Sequence, residues 1–341
     1  MKIANSNKYL VPAVIGIVLV IALPFYFFFR SVSTLNEPHY IYIDADDTQD
    51  SVINKIKPIA SPTSMAGLQT LLRHAGYSNN VKTGRYAILP GDGAITVYRH
   101  LKNGFQESMH LTIPEVRTID RLASILGRKL MLDSATIASA IYSQDTCIKY
   151  GYDTCTIAAM FIPNTYDVYW NVSVEGLLKR MQKEHDRFWN EDRKAKAANL
   201  KLTPNEITTL ASIIDEETAN NNEKPMIAGM YINRLRKNMP LQADPTIKFA
   251  LKDFTLKRIY NKLLKVDSPY NTYTHEGLPP GPIKIASIKG IDAVLNHVKH
   301  EYLYMCAKED FSGTHNFAKT YSEHLKNAAK YTKALNEKGI K

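Results

Sequence analysis

The chain has 341 residues, 45% hydrophobic and 22% charged, enough for a sizeable core and two domains. It has no low-complexity tract or internal repeat, and no zinc spacing, phosphate-binding loop or nucleic-acid motif, so the reading carries no metal, cofactor or nucleic-acid partner. A net charge of +10 suits an acidic wall polymer or a lipid surface, and scattered surface lysines explain it equally well.

The run from Tyr9 to Phe29 carries no charge. About 20 apolar residues in a helix span the hydrocarbon core of a bilayer. Lys2 and Lys8 precede the run and Arg30 follows it, so the positive-inside rule leaves residues 1–8 as a cytoplasmic tail. The run ends in Phe25-Tyr26-Phe27-Phe28-Phe29, an aromatic belt rather than the small-residue site of a cleaved signal peptide. Residues 9–29 therefore read as a single-pass anchor, with everything after them on the extracytoplasmic side of the cell membrane.

Residues 30–38 read as a linker. Strands are expected at His39–Ile43, Thr83–Ile88 and Ser108–Ile113, where apolar and polar residues alternate or β-formers cluster. Helices are expected at Asp50–Lys57, Ser64–Ala75, Ala94–Lys102, Thr118–Leu130 and Ser134–Tyr142, the third stopped by Asn103-Gly104. The stretch Ser173–Ala198 reads as one long amphipathic helix that links the two halves. Further helices start at Thr203 and run over Lys224–Lys237. The proline- and glycine-rich segments 239–246 and 267–282 read as ordered loops, long enough to carry function. The fold class is α+β: small strands and short helices first, then a more helical second half. Cys147 and Cys155 either close a small loop or stay free thiols, and Cys306 reads as a buried strand residue.

The helix from Thr203 carries the chemistry. Thr203-Pro204-Asn205-Glu206 forms a capping box with a first-turn proline. With Ile207 set at zero on a wheel of about 100° per residue, Glu216 falls near 180° and faces solvent, and Asp215 lies on a shoulder. Glu217 falls near 280°, beside Leu210 and Ile213. Apolar surroundings raise a carboxyl pKa, and a glutamic acid still protonated near neutral pH can protonate a leaving oxygen. The alternative is an ion pair with Arg234 or Arg236.

The segment Ala211-Ser212-Ile213-Ile214-Asp215-Glu216-Glu217-Thr218 resembles the A-S-I-[IV]-E-K-E-T signature of the endolytic murein transglycosylase family (MltG, YceG-like). Met230 to Leu235 is similar to that family's F-x-N-R-L helix, and Met239 to Thr246 to its M-x-L-Q-x-D-P-T loop. Tyr270-Asn271-Thr272-Tyr273, Gly277 to Ile283 and His315-Asn316-Phe317 follow in the family order. Upstream, Lys82 to Tyr86, Thr112 to Glu115 and Phe161 to Tyr166 also match. Asp215 and Glu216 depart from the family's glutamate and lysine, Val116 from a glycine, Asn164 from an aspartate, Ala286-Ser287 from a proline-glycine pair and His297 from a proline.

The resemblance implies a membrane-bound lytic transglycosylase, a carbon–oxygen lyase that needs neither metal nor cofactor. It implies Glu217 as the catalytic acid, which then serves as base. The cut would fall between N-acetylmuramic acid and N-acetylglucosamine within nascent strands, leave a 1,6-anhydro end and terminate elongation beside the wall synthases. The first half, residues 39–105, resembles a LysM-like module, with residues 106–341 the catalytic region. Hydroxyl, amide and aromatic groups suit a glycan groove, which makes Asn233, Arg234, Gln242, Asp244, Thr246, Tyr270, Asn271 and Tyr273 the candidate binding residues. Asp244 is the second acid if the enzyme instead adds water. His315 is a proton carrier or, more simply, a structural histidine. A wall-binding scaffold without activity is the reading from another class.

Overall fold

The computed structural model describes residues 7–256 and 259–338. Lys2, one of the two lysines behind the expected topology, lies outside them. The architecture is mixed α+β and mostly helical, in two compact units.

The first unit comprises residues 1–111, 129–131 and 167–172. It opens with helix α1, Asn7–Pro24, which passes into a π-helical turn at Phe25–Phe29. The apolar stretch Leu10–Phe29 has a mean hydropathy of 2.6, and none of its residues is fully buried. It is the one stretch among the described residues long and apolar enough to cross a membrane. Strand β1 (His39–Ile43) pairs antiparallel with β2 (Gly84–Ile88), Ile41 opposite Tyr86. Between them lie α2 (Gln49–Ile56) and α3 (Pro62–His74); α4 (Ala94–Asn103) follows and ends on left-handed Gly104. Ile41, Val52, Leu68, Tyr86 and Leu101 build this unit's core.

Residues 31–33 of the expected linker are part of that body, and residues 35–38 run exposed to β1. Val32 is fully buried, its N–H donates to the Asp92 carbonyl, and Ser31 and Ser33 bridge to Gly93 and Ala60. Phe27 packs its carbonyl over Gly67, where any Cβ would collide with it. Polar serines made the segment look like a tether, yet their backbone groups supply strand-like bonds.

Strand β3 (Ser108–Ile113) pairs with β4 (Asn164–Tyr169) and contributes, as β4 does, residues to both units. The second unit carries α5 (Ile119–Gly127), α6 (Ser134–Tyr142) and α7 (Gln144–Lys149), then α8 (Val174–Phe188) and α9 (Glu191–Asn199). The single long helix expected over 173–198 is thus two, both inside this unit. Trp189 leaves helical backbone to bury its indole at 1% exposure, and Asn190 caps α9 by accepting from the Arg193 N–H.

Three further helices surround the site: α10 (Pro204–Glu217), α11 (Lys224–Arg236) and α12 (Asp244–Ala250). Helix α13 (Ile288–Leu295), the hairpin β5 (Tyr304–Ala307) and β6 (His315–Ala318), and α14 (Tyr321–Glu337) complete the unit. Its core packs Ile207, Leu210 and Ile214 of α10 against Ile227 and Tyr231 of α11 and Ile291 and Val294 of α13. Cys306 is half-buried on β5, less enclosed than expected, and all three cysteines are free thiols.

Candidate active site

Helix α10 begins as its sequence dictates. Thr203 accepts from the Glu206 N–H, and the Glu206 carboxylate accepts from the Thr203 N–H at 2.7 Å. Ile207 to Ile214 are all buried. The helix ends at Glu217, because Thr218 turns extended. Its last three residues are acids set at the negative end of the helix dipole, where a carboxylate is disfavoured unless cations or donors meet it.

Each acid meets a different answer. Asp215 has a side chain 1% exposed and takes the Lys224 ammonium at 2.7 Å. It also accepts from the Ser287 N–H at 2.6 Å and the Ser287 hydroxyl at 2.8 Å. Glu216, expected in solvent, is 14% exposed, with Arg117 at 2.8 Å and Lys284 at 3.4 Å. The wheel placed it correctly on the helix, but elements distant in sequence cover that face. Burial opposes ionisation of Glu216, and the two cations outweigh it and hold its carboxyl below the usual range.

Glu217 receives a neutral donor instead: the Tyr231 hydroxyl donates to its Oε1 at 2.7 Å. Neither Arg234 nor Arg236 pairs with it. Burial pushes its pKa up to about 7; the Tyr231 bond opposes that rise and the negative charge of Asp244 adds to it. Tyr231, itself buried against this carboxyl, is held well above the usual phenol range and stays a donor. With Oε1 engaged, Oε2 is the oxygen left to carry the acidic proton.

Glu217 lines a cleft of about 400 Å³. Arg234, Gln242, Asp244 and Tyr273 share it. Arg234 is spent on the wall: it donates to the Pro240 and Leu303 carbonyls and, at 2.6 Å, to Gln242 Oε1. Gln242 sits in left-handed backbone at φ 54°, its N–H bound to the Thr272 carbonyl. Tyr273 donates to Asp244 Oδ1 at 2.6 Å, a second tyrosine–carboxyl pair in the same cleft. The C-terminal elements complete the lining with Tyr304, Cys306, His315, Tyr321 and His324.

Four candidates stand outside the cleft and brace the chain. Asn233 gives its amide to the His300 carbonyl at 2.7 Å and the Tyr302 carbonyl at 3.1 Å. Thr246 is fully buried and donates to the Ala243 carbonyl. Asn271, also fully buried, donates to the Leu264 and Val266 carbonyls. Tyr270 packs on Phe249 with ring centroids 4.7 Å apart and lines a separate hollow. His315 lines the cleft and is tied down by Glu223, which accepts from its N–H at 2.6 Å and meets its Nδ1 at 3.0 Å.

Sequence reasoning passed over Tyr231 and the aromatic wall of Tyr304, Tyr321 and His324. A hydroxyl-tipped ring in the apolar run Met226 to Ile232 was the available signal for Tyr231, since a buried tyrosine hydroxyl needs a partner. The wall gave no comparable signal, because it forms only when β5 and α14 pack together.

The YceG-like family model matches residues 41–330. The chain belongs to the YceG-like family. Among its YceG-like relatives, the endolytic murein transglycosylase of Bacillus subtilis is 39% identical over 168 residues, 49% of this chain and 46% of that protein. The protein of the same name from Streptococcus pneumoniae R6 is 26% identical over 293 residues, 76% of this chain and 52% of its own length. This YceG-like chain thus spans about half the length of the curated relatives it matches. A solved YceG-like protein from Listeria monocytogenes superposes with a TM-score of 0.56 at 27% identity, covering 86% of this chain and 99% of that one.

Proposed function

We propose that this YceG-like chain is an endolytic lytic transglycosylase. It cuts the β-1,4 bond between N-acetylmuramic acid and N-acetylglucosamine inside nascent glycan strands, and so ends their elongation. The observation that carries this reading is Glu217: a carboxyl with a pKa near 7, enclosed beside Tyr231, facing a cleft of about 400 Å³. The names of the Bacillus and Streptococcus relatives support it.

In the first step the Glu217 proton passes to the glycosidic oxygen as the C1–O bond breaks. The muramyl 6-hydroxyl oxygen then bonds to C1, and its proton returns to the Glu217 carboxylate. No water is consumed, the carboxyl is regenerated, and the product is a 1,6-anhydro end. Gln242, Asp244 and Tyr273 hold the sugars in the cleft. The apolar stretch Leu10–Phe29 anchors the chain in the cell membrane, and residues 39–105, which resemble a LysM-like module, orient the strand.

Mass spectrometry of nascent murein digested by wild type and Glu217→Gln tests the reading. Anhydro ends made by wild type alone support it. Reducing ends assign a hydrolytic muramidase to the same site. Binding of glycan by both proteins with cutting by neither makes the chain a scaffold.

A further inference from the structure

A second hollow, of about 260 Å³, opens in the same unit as the cleft. Its walls set Phe249, Phe254 and Tyr270 beside three cations, Arg117, Lys252 and Lys284. One acid, Asp120, is in the lining and accepts from the Tyr142 hydroxyl at 3.1 Å. Lys284 is 11% exposed, and its nearest carboxylate oxygens stand at 3.4 Å on Glu216 and 3.9 Å on Glu115. Lys284 and Arg117 thus share one carboxylate, Glu216, and exposed Lys252 adds a third positive charge beside them.

The hollow is tied to the cleft twice. Arg117 and Lys284 hold Glu216, the residue before Glu217. Helix α12 starts at Asp244 in the cleft and delivers Phe249 to the hollow; five helical residues rise about 7.5 Å.

We infer that the hollow receives the peptide side chain carried by the muramyl residue, an acyl peptide with aliphatic groups and free carboxylates. This rests on the proposed reaction. The excess positive charge attracts carboxylates more strongly than a neutral sugar ring, and Val116, Ile119 and Ile157 give methyl and methylene groups an apolar wall. Three extended residues span about 10 Å, more than the helical rise of about 7.5 Å between Asp244 and Phe249.

The test uses full-length protein and two sets of glycan strands, with and without their peptides. Wild type should prefer peptide-bearing strands by about tenfold in kcat/KM, the worth of one charge-assisted bond, and exposed Lys252→Glu should bring the ratio near one while Lys252→Arg restores it. A second readout needs no cleavage. In Glu217→Gln protein, site-resolved alkylation follows Cys155, which lines the hollow, and Cys306, which lines the cleft. Peptide-bearing tetrasaccharide should slow both; peptide-free tetrasaccharide should slow Cys306 only. Protection of Cys306 without Cys155, or a wild type indifferent to the peptide, overturns the inference and leaves the reaction standing. Protection of neither, with no strand cut by wild type, overturns both.

Discussion

Three consecutive acids close α10, and their surroundings give each a separate task. Asp215 is a brace, Glu216 an ion-pair member, and Glu217 the proposed acid. Two departures from the family pattern meet here: the shorter Asp215 is reached by Ser287, which stands where the family has a proline-glycine pair. Gly290 leaves room for that carboxylate, since a Cβ there would lie 2.5 Å from Asp215 Oδ1. If Glu217 donates the proton, Glu217→Gln should cut the rate by about 10²–10⁴-fold in a release assay on nascent glycan. Its neighbours should move the alkaline limb of the pH–rate profile in opposite directions. The Tyr231 bond favours the ionised form, so Tyr231→Phe should shift the limb to higher pH. The Asp244 charge disfavours ionisation, so Asp244→Asn should shift it to lower pH. Stability carries the same signature. Because the folded pKa of about 7 exceeds the ordinary 4.5, the folded state binds this proton more tightly. That contribution is complete below pH 4.5 and is lost as pH rises through 7. In thermal melts Glu217→Gln should match wild type in acid and exceed it above pH 7. Glu217's setting was legible because a helix wheel reports neighbours on its own helix. Glu216's was not, since Arg117 and Lys284 come from segments about a hundred and about seventy residues away.

At the scale of elements, the site depends on how α10, α11 and α13 are locked together. Asp215 on α10 holds Lys224 at the start of α11 and Ser287 at the cap of α13. Removing the carboxylate leaves an ammonium only 7% exposed without its partner. Asp215→Ala should therefore cost about 3–5 kcal/mol in urea unfolding, the range for breaking a buried pair. The turn between α8 and α9 has a smaller but measurable device. Asn190→Ala removes the cap of α9 and should lower stability by about 1 kcal/mol. Most helices and the first three strands could be read from periodicity and caps, with ends shifted by up to three residues. The break at Trp189 was missed because the apolar spacing continues across it, although Asn190, followed by Glu191 and Asp192, is the local signal of a new helix. Helices α13 and α14 went unread among glycine- and lysine-rich stretches whose apolar faces gain meaning from what they pack against.

For the whole molecule, the consequential feature is how the apolar N-terminal helix joins the first unit. The π-helical turn rests on Gly67, and Val32 is buried in the unit's core, so the helix leads directly into a folded body. If Leu10–Phe29 crosses the membrane, deleting residues 1–24 should move the protein from the carbonate-resistant membrane pellet to the soluble fraction in a cell fractionation blot. By itself the sequence determined the apolar span, the α+β class with its helical second half, the capped helix and the acid at that helix's end. Each of these depends on residues close together in the chain: a run without charge, a period, a capping box, a wheel. Only the tertiary structure decided that Tyr231 meets Glu217, that Asn233 and Asn271 brace loops, that β5 and α14 wall the cleft and that Val32 and Ser33 are buried in the first unit. Those outcomes arise from contacts between distant segments, where burial and hydrogen-bond satisfaction select among partners that local pattern leaves equivalent.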